Sequence, residues 1–235
     1  MNIYQSGDES EAESSRDRKK LLITGHPRCG SRYISLLLKH LGVDVNHEWF
    51  GANGICSWLY VVKDLNMPTL GSHIINPYAS YATDFDYTLA YVRNPFDAIP
   101  SILLENWVER SYNFRRNHII DQLGIDLDDY KSDLERAIAS FLLWNKITQL
   151  KNPVETFKVE NCVEAVHAFL VNNRLVHETI DISTIDIATN ANSTSSRGIV
   201  KPEIPDDGYK RIADHLRTDL IAFCDQYGYD ITVNL

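Results

Sequence analysis

Gly25 and Gly30 in "GHPRCGSR" (25–32) keep the G-x-x-x-x-G spacing of a phosphate-binding loop. A metal-dependent NTPase follows such a loop with lysine and a magnesium-binding hydroxyl, but here the next two residues are Ser31 and Arg32. A loop running into a helix offers backbone N–H groups without intrahelical acceptors, together with the positive end of the helix dipole. Both favour a phosphate. Arg28 and Arg32 add fixed positive charge, and a guanidinium fork can hold two phosphate oxygens at once. A third arginine, Arg93, follows the apolar run "YTLAYV" (87–92). A metal-dependent NTPase carries its metal-holding Asp at that place. The pattern predicts a ligand with several phosphates, gripped by arginines and with no metal site.

The elements that must position these groups follow from hydrophobic spacing. Leu21–Thr24 reads as a strand entering the loop, and Ile34, Leu37, Leu38 and Leu41 fall at helical spacing before a stop at Gly42. "YTLAYV" reads as a buried parallel strand, with a helix from near Asp97 towards Trp107. Ser132 and Glu135 match a capping box for a helix carrying Leu134, Ile138, Phe141, Leu142 and Trp144. "ETFKVE" (155–160) reads as a third strand, followed by an amphipathic segment, Val163 to Leu170. "TNANSTSSRG" (189–198) is a polar loop, and a last helix carries Ile212, Leu216, Leu220 and Phe223 before Gly228. Alternating strands and helices predict an α/β layer structure with a parallel sheet. Ligands of such sheets bind at the carboxyl ends of the strands, where 25–32 and 93–101 both lie.

The chain of 235 residues fits a single domain over 20–235, behind a polar, charged tail at 1–19. A formal net charge of −9 argues against a general nucleic-acid binder, yet leaves room for a local arginine cluster. Cys29, Cys56, Cys162 and Cys224 form no C-x-x-C pair, which disfavours zinc and fits a reducing compartment. No stretch has the length of a membrane span and no signal-peptide layout is present, so the expected location is cytoplasmic.

Pro27-Arg28-Cys29-Gly30-Ser31 resembles the 5′-phosphosulfate loop of the sulfotransferase family, P-[KR]-[SC]-G-[TS]. "RNPFDAIPS" resembles the family's second signature, with Arg93, Asn94, Pro95, Asp97 and, eight residues after the arginine, Ser101. Weaker echoes lie in "FLLWNK" with Trp144, in "FKVEN" (157–161), where Val159 replaces a frequent aromatic, and in "QYGYD" (226–230). The resemblance spans roughly residues 20–232 and implies a three-layer α/β sandwich with a central, mostly parallel sheet and a P-loop-like nucleotide-binding core. It implies transfer of a sulfuryl group from 3′-phosphoadenosine 5′-phosphosulfate (PAPS) to an acceptor hydroxyl on a small molecule, carbohydrate or peptide, leaving the bisphosphate PAP. By that resemblance Arg28 contacts the phosphosulfate and the backbone of Gly30 and Ser31, with the Ser31 hydroxyl, completes the cradle. Arg93 and Ser101 hold the 3′-phosphate, joined by Arg197-Gly198 and Lys201. Arg32 stands where the family usually has a second Ser or Thr.

An alcohol acceptor needs a base within hydrogen-bond reach. Glu48 in "NHEWFG" lies twenty residues after Arg28, where the protein-tyrosine branch of the family has its glutamate, with His47 to orient it or take its place. His73 in "GSHIIN" lies twenty residues before Arg93, near the histidine of the small-molecule branch. Gly71 stands where that branch has lysine, so Glu48 is preferred. Trp58, Trp107 and Trp144 read as core or pocket wall, and "NFRRNH" (113–118) as an acceptor flap or a solvated basic turn. Two other functions fit the same loop: a nucleotide kinase with degenerate motifs, and a module that binds PAP without catalysis.

Overall fold

The computed structural model describes residues 19–62, 84–185, 200–205 and 207–231. His73 with Gly71, the polar loop carrying Arg197 and Gly198, and residues 1–18 of the expected tail lie outside the described residues.

Five strands form one sheet: β1 (Leu21–Thr24), β2 (Val45–His47), β3 (Gly54–Cys56), β4 (Tyr87–Val92) and β5 (Glu155–Lys158). Their order is β2-β3-β1-β4-β5, and every strand pairing is parallel. Successive strand residues face opposite sides, yet all four residues of β1 are buried. Leu21 and Ile23 enter the main core, whereas Leu22 joins Ile55 and Tyr60 in a smaller cluster. Both faces are therefore covered, as parallel sheets require. The arrangement is consistent with a three-layer α/β sandwich.

Six helices accompany the sheet among the described residues: α1 (Ser31–His40), α2 (Pro95–Asn106), α3 (Glu109–Leu123), α4 (Asp133–Gln149), α5 (Val163–Asn172) and α6 (Asp214–Tyr227). Ile34, Leu37 and Leu38 on α1, with Leu41 just beyond it, are at most 1% exposed. Each contributes about 2 kcal/mol of burial, so the helix behind the 25–30 loop is firmly seated. Pro95 occupies the first turn of α2, where its missing N–H costs nothing, and the Asn94 side chain caps that helix by accepting from Phe96 N at 3.0 Å. The capping box of α4 forms as predicted: Glu135 N donates to Ser132 Oγ at 3.2 Å, and Glu135 Oε2 accepts from Ser132 N at 3.3 Å. Glu135 Oε1 also accepts from Ala213 N at 2.9 Å, tying α6 to α4.

Four expectations need correction. The third strand ends at Lys158, and Val159–Asn161 form a 3-10 turn. Ile212 precedes the last helix instead of lying on it. Trp107 is 66% exposed, so it is not core. "NFRRNH" is neither flap nor solvated turn: it lies within α3, with Phe114, Arg115 and His118 buried.

Candidate functional site

The strand order places β1 beside β4. The connection leaving β1 leads to β2 on one side, whereas the one leaving β4 leads to β5 on the other. Such a reversal opens a crevice between two strand ends, the usual ligand position in open α/β sheets. Arg28 follows β1 and Arg93 follows β4, one on each lip.

Local sequence explains why the loop fits there. A Cβ on Gly25 would lie 2.5 Å from the Tyr91 carbonyl oxygen and 2.6 Å from its ring, so only glycine lets the chain leave β1 against β4. Gly30 has φ 106°, and a Cβ there would lie 2.8 Å from Val159 Cγ1. Arg28 has φ 73°, a left-handed conformation uncommon for a bulky residue. The Arg93 guanidinium spans the crevice and donates through Nη1 to the Arg28 carbonyl oxygen at 3.3 Å. Glu105 on α2 lies 3.9 Å from Arg28 Nε. Lys201 completes the cluster. Burial lowers its pKa first of all, and the charges of Arg93 and Arg28 add to that while Asp97 opposes it.

Helix α1 begins at this loop with no side chain capping its N-terminus and no acidic residue in its first turn. Its leading N–H groups and its positive dipole end are therefore offered to the crevice. Cys29 is buried inside the loop, and that burial pushes its thiol up to about 12, which makes it packing and not a nucleophile. Ser101, 3% exposed, lies within α2, and no hydrogen bond joins it to Arg28 or Arg93 among the described residues. Asn94 N donates to Glu160 at 2.6 Å, and Tyr229 Oη donates to the other Glu160 oxygen at 3.1 Å. "FKVEN" and "QYGYD", distant in sequence, thus meet behind the Arg93 turn.

A second cluster adjoins the first at the ends of β2 and β3. His47 Nε2 is 2.9 Å from Ser31 Oγ, and Glu48 Oε1 is 3.7 Å from the same ring nitrogen. Glu48 turns the chain at φ 64°, held by its own N–H donating to Cys56 O at 3.0 Å. Among the described residues four non-glycines have positive φ: Arg28, Glu48, Asn152 and Arg174. Two of the four, Arg28 and Glu48, are among the three residues expected to be catalytic, and backbone strain of this kind concentrates at functional sites. Ser57 Oγ donates to Glu48 Oε2 at 2.7 Å. Burial outweighs that bond and raises the Glu48 carboxyl to about 7. Burial, aided by the Arg32 charge, lowers His47 to about 4. At neutral pH the imidazole is uncharged and Glu48 is poised between its two forms, so the 3.7 Å contact is not an ion pair. Arg32 itself is exposed on α1.

Sequence reasoning missed two contributors. Glu105 beside Arg28 belongs to no motif. Arg115, wholly buried, donates to Ser140 Oγ at 2.6 Å and to Asn106 Oδ1 at 2.9 Å, while His26 Nε2 contacts the same Ser140 oxygen at 3.2 Å. The 25–30 loop is thereby anchored to α2, α3 and α4 through polar groups on four separate segments. No protein-family model and no curated protein matches the chain.

Proposed function

We propose that the chain transfers a sulfuryl group from PAPS to an acceptor hydroxyl by in-line displacement, on a P-loop-like core within a three-layer sandwich. One observation carries the reading. Three cations, Arg28, Arg93 and Lys201, gather where two adjacent parallel strands end, beside a helix N-terminus that no side chain caps. That arrangement suits a doubly phosphorylated adenosine, with Arg28 at the 5′-phosphosulfate and Arg93 with Lys201 at the 3′-phosphate.

The acceptor oxygen would attack sulfur as the bond from sulfur to the bridging phosphate oxygen breaks. The hydroxyl proton passes to Glu48, and the electron pair leaves with PAP. Arg28 and the amides of Gly30 and Ser31 stabilise the charge that grows on the departing phosphate, an effect worth about 3 kcal/mol for one well-placed donor. A carboxyl near pH 7 suits a general base, since proton affinity and the ionised fraction are then both useful.

Thermal denaturation with 3′,5′-bisphosphoadenosine, or with ATP with and without Mg²⁺, tests the reading. At a hundredfold excess over Kd the bisphosphate should add about 2.7 kcal/mol, a rise of about 5–10 °C for a chain this size. A response confined to ATP with magnesium would favour a nucleotide kinase. Product PAP accumulating with a supplied hydroxyl acceptor would separate an enzyme from a binding module.

A further inference from the structure

Ser31 is the first residue of α1 and part of the phosphate loop, and its hydroxyl carries a single proton. Its Oγ lies 2.9 Å from His47 Nε2. The Tyr91 hydroxyl is its other hydrogen-bond neighbour: with the Tyr91 O–H turned towards the His26 carbonyl at a long 3.5 Å, the Tyr91 oxygen is an acceptor that competes for the Ser31 proton. Phosphate and sulfonate oxygens only accept hydrogen bonds. Ser31 can therefore serve such a ligand only by donating its one proton to it, and its oxygen must then accept from His47. We infer that His47 is a positioning residue whose Nε2–H donates to Ser31 Oγ and thereby turns the Ser31 proton onto the bound 5′-phosphosulfate.

The inference rests on the sulfuryl-transfer reading and assigns to His47 a role distinct from that of a base. The geometry favours Ser31 over Glu48 as the partner of Nε2, at 2.9 Å against 3.7 Å, while Glu48 already accepts from Ser57. Burial first, and then the Arg32 charge, opposes a second proton on the ring, so a neutral tautomer with hydrogen on Nε2 is the state the contact requires.

A double-mutant cycle on the full chain tests this, read as calorimetric affinity for 3′,5′-bisphosphoadenosine. His47→Ala and Ser31→Ala should each weaken binding about tenfold. The double variant should lose no more than either single one, because both changes remove one coupled contact. His47→Gln, which keeps an N–H donor at similar reach, should recover most of the affinity. Nitrogen NMR of the wild-type complex should show the His47 Nε2 protonated, a readout that does not depend on any variant folding.

Losses that multiply to about a hundredfold in the double variant would overturn the inference, as would an unprotonated Nε2 in the complex. So would Tyr91→Phe reproducing the loss while His47→Ala does not. A wild-type chain that ignores the bisphosphate would overturn the sulfuryl-transfer reading as well, which distinguishes the two failures.

Discussion

The guanidinium of Arg93 donates through Nη1 to the carbonyl oxygen of Arg28 at 3.3 Å, joining residues 65 positions apart in sequence. One arginine thus holds the other's backbone in its left-handed turn while both side chains stay near Lys201. Arg93→Ala should weaken 3′,5′-bisphosphoadenosine by about a hundredfold, since charge-assisted bonds contribute up to about 3 kcal/mol each. It should weaken 5′-AMP only a few-fold, through the loosened loop. Calorimetry on both ligands decides, and equal losses would take Arg93 away from the 3′-phosphate.

Glu48 links activity and stability to pH. Its folded carboxyl, which burial raises to about 7 from an ordinary value of about 4.5, holds a proton that the unfolded chain has already released. Stability therefore falls as pH rises from about 4.5 through 7 and levels off above, with a total change on the order of 3 kcal/mol. Glu48→Gln should remove that slope and melt higher than wild type at pH 8, while abolishing turnover. In the wild type, kcat/KM should climb with pH and bend near 7. A melting profile of Glu48→Gln parallel to wild type from pH 5 to 8 would contradict the assignment.

Gly30→Ala should lower stability by about 1–3 kcal/mol and weaken the bisphosphate, because both the backbone angle and the space refuse a methyl group. Removing the obstacle with Val159→Ala in the same chain should restore only the steric share. Full restoration in chemical denaturation would mean that the φ of 106° is not needed.

Glu135 should matter more than the residue it pairs with. Ser132→Ala removes one cap and should cost about 1 kcal/mol. Glu135→Ala strips the N–H groups of Lys131, Ser132 and Ala213 of their acceptor at a site only 6% exposed, and should cost about 2–4 kcal/mol. Equal midpoints in urea would show that the link to Ala213 carries no energy.

Much of this arrangement is legible in the residues. β1 and β4 stand out because their runs of apolar residues are buried on both faces, and the α4 cap is signalled by Ser132 and Glu135 alone. β2 and β3 are three residues each, too short for any alternation to register, so the neighbours of Glu48 could be guessed only from distance along the chain. "ERSYNFRRNHIIDQL" hides its helix behind charge. Arg115 is buried with its N–H groups satisfied by the Ser111 carbonyl one turn back and by Ser140 and Asn106 on other helices, and the partnerships across helices leave no trace in local spacing. Arg28 and Arg93 were named by their motifs, yet their contact depends on β1 and β4 lying side by side.

The unguarded beginning of α1 has one more consequence. α4 closes its own first turn with Ser132 and Glu135, so it is complete as soon as the chain folds. α1 has no such side-chain stopper, and on the sulfuryl-transfer reading the donor's phosphate is what finishes it. Amide hydrogens at Gly30, Ser31 and Arg32 should exchange quickly in the empty protein and slow on loading, making the guest in effect the last piece of the helix.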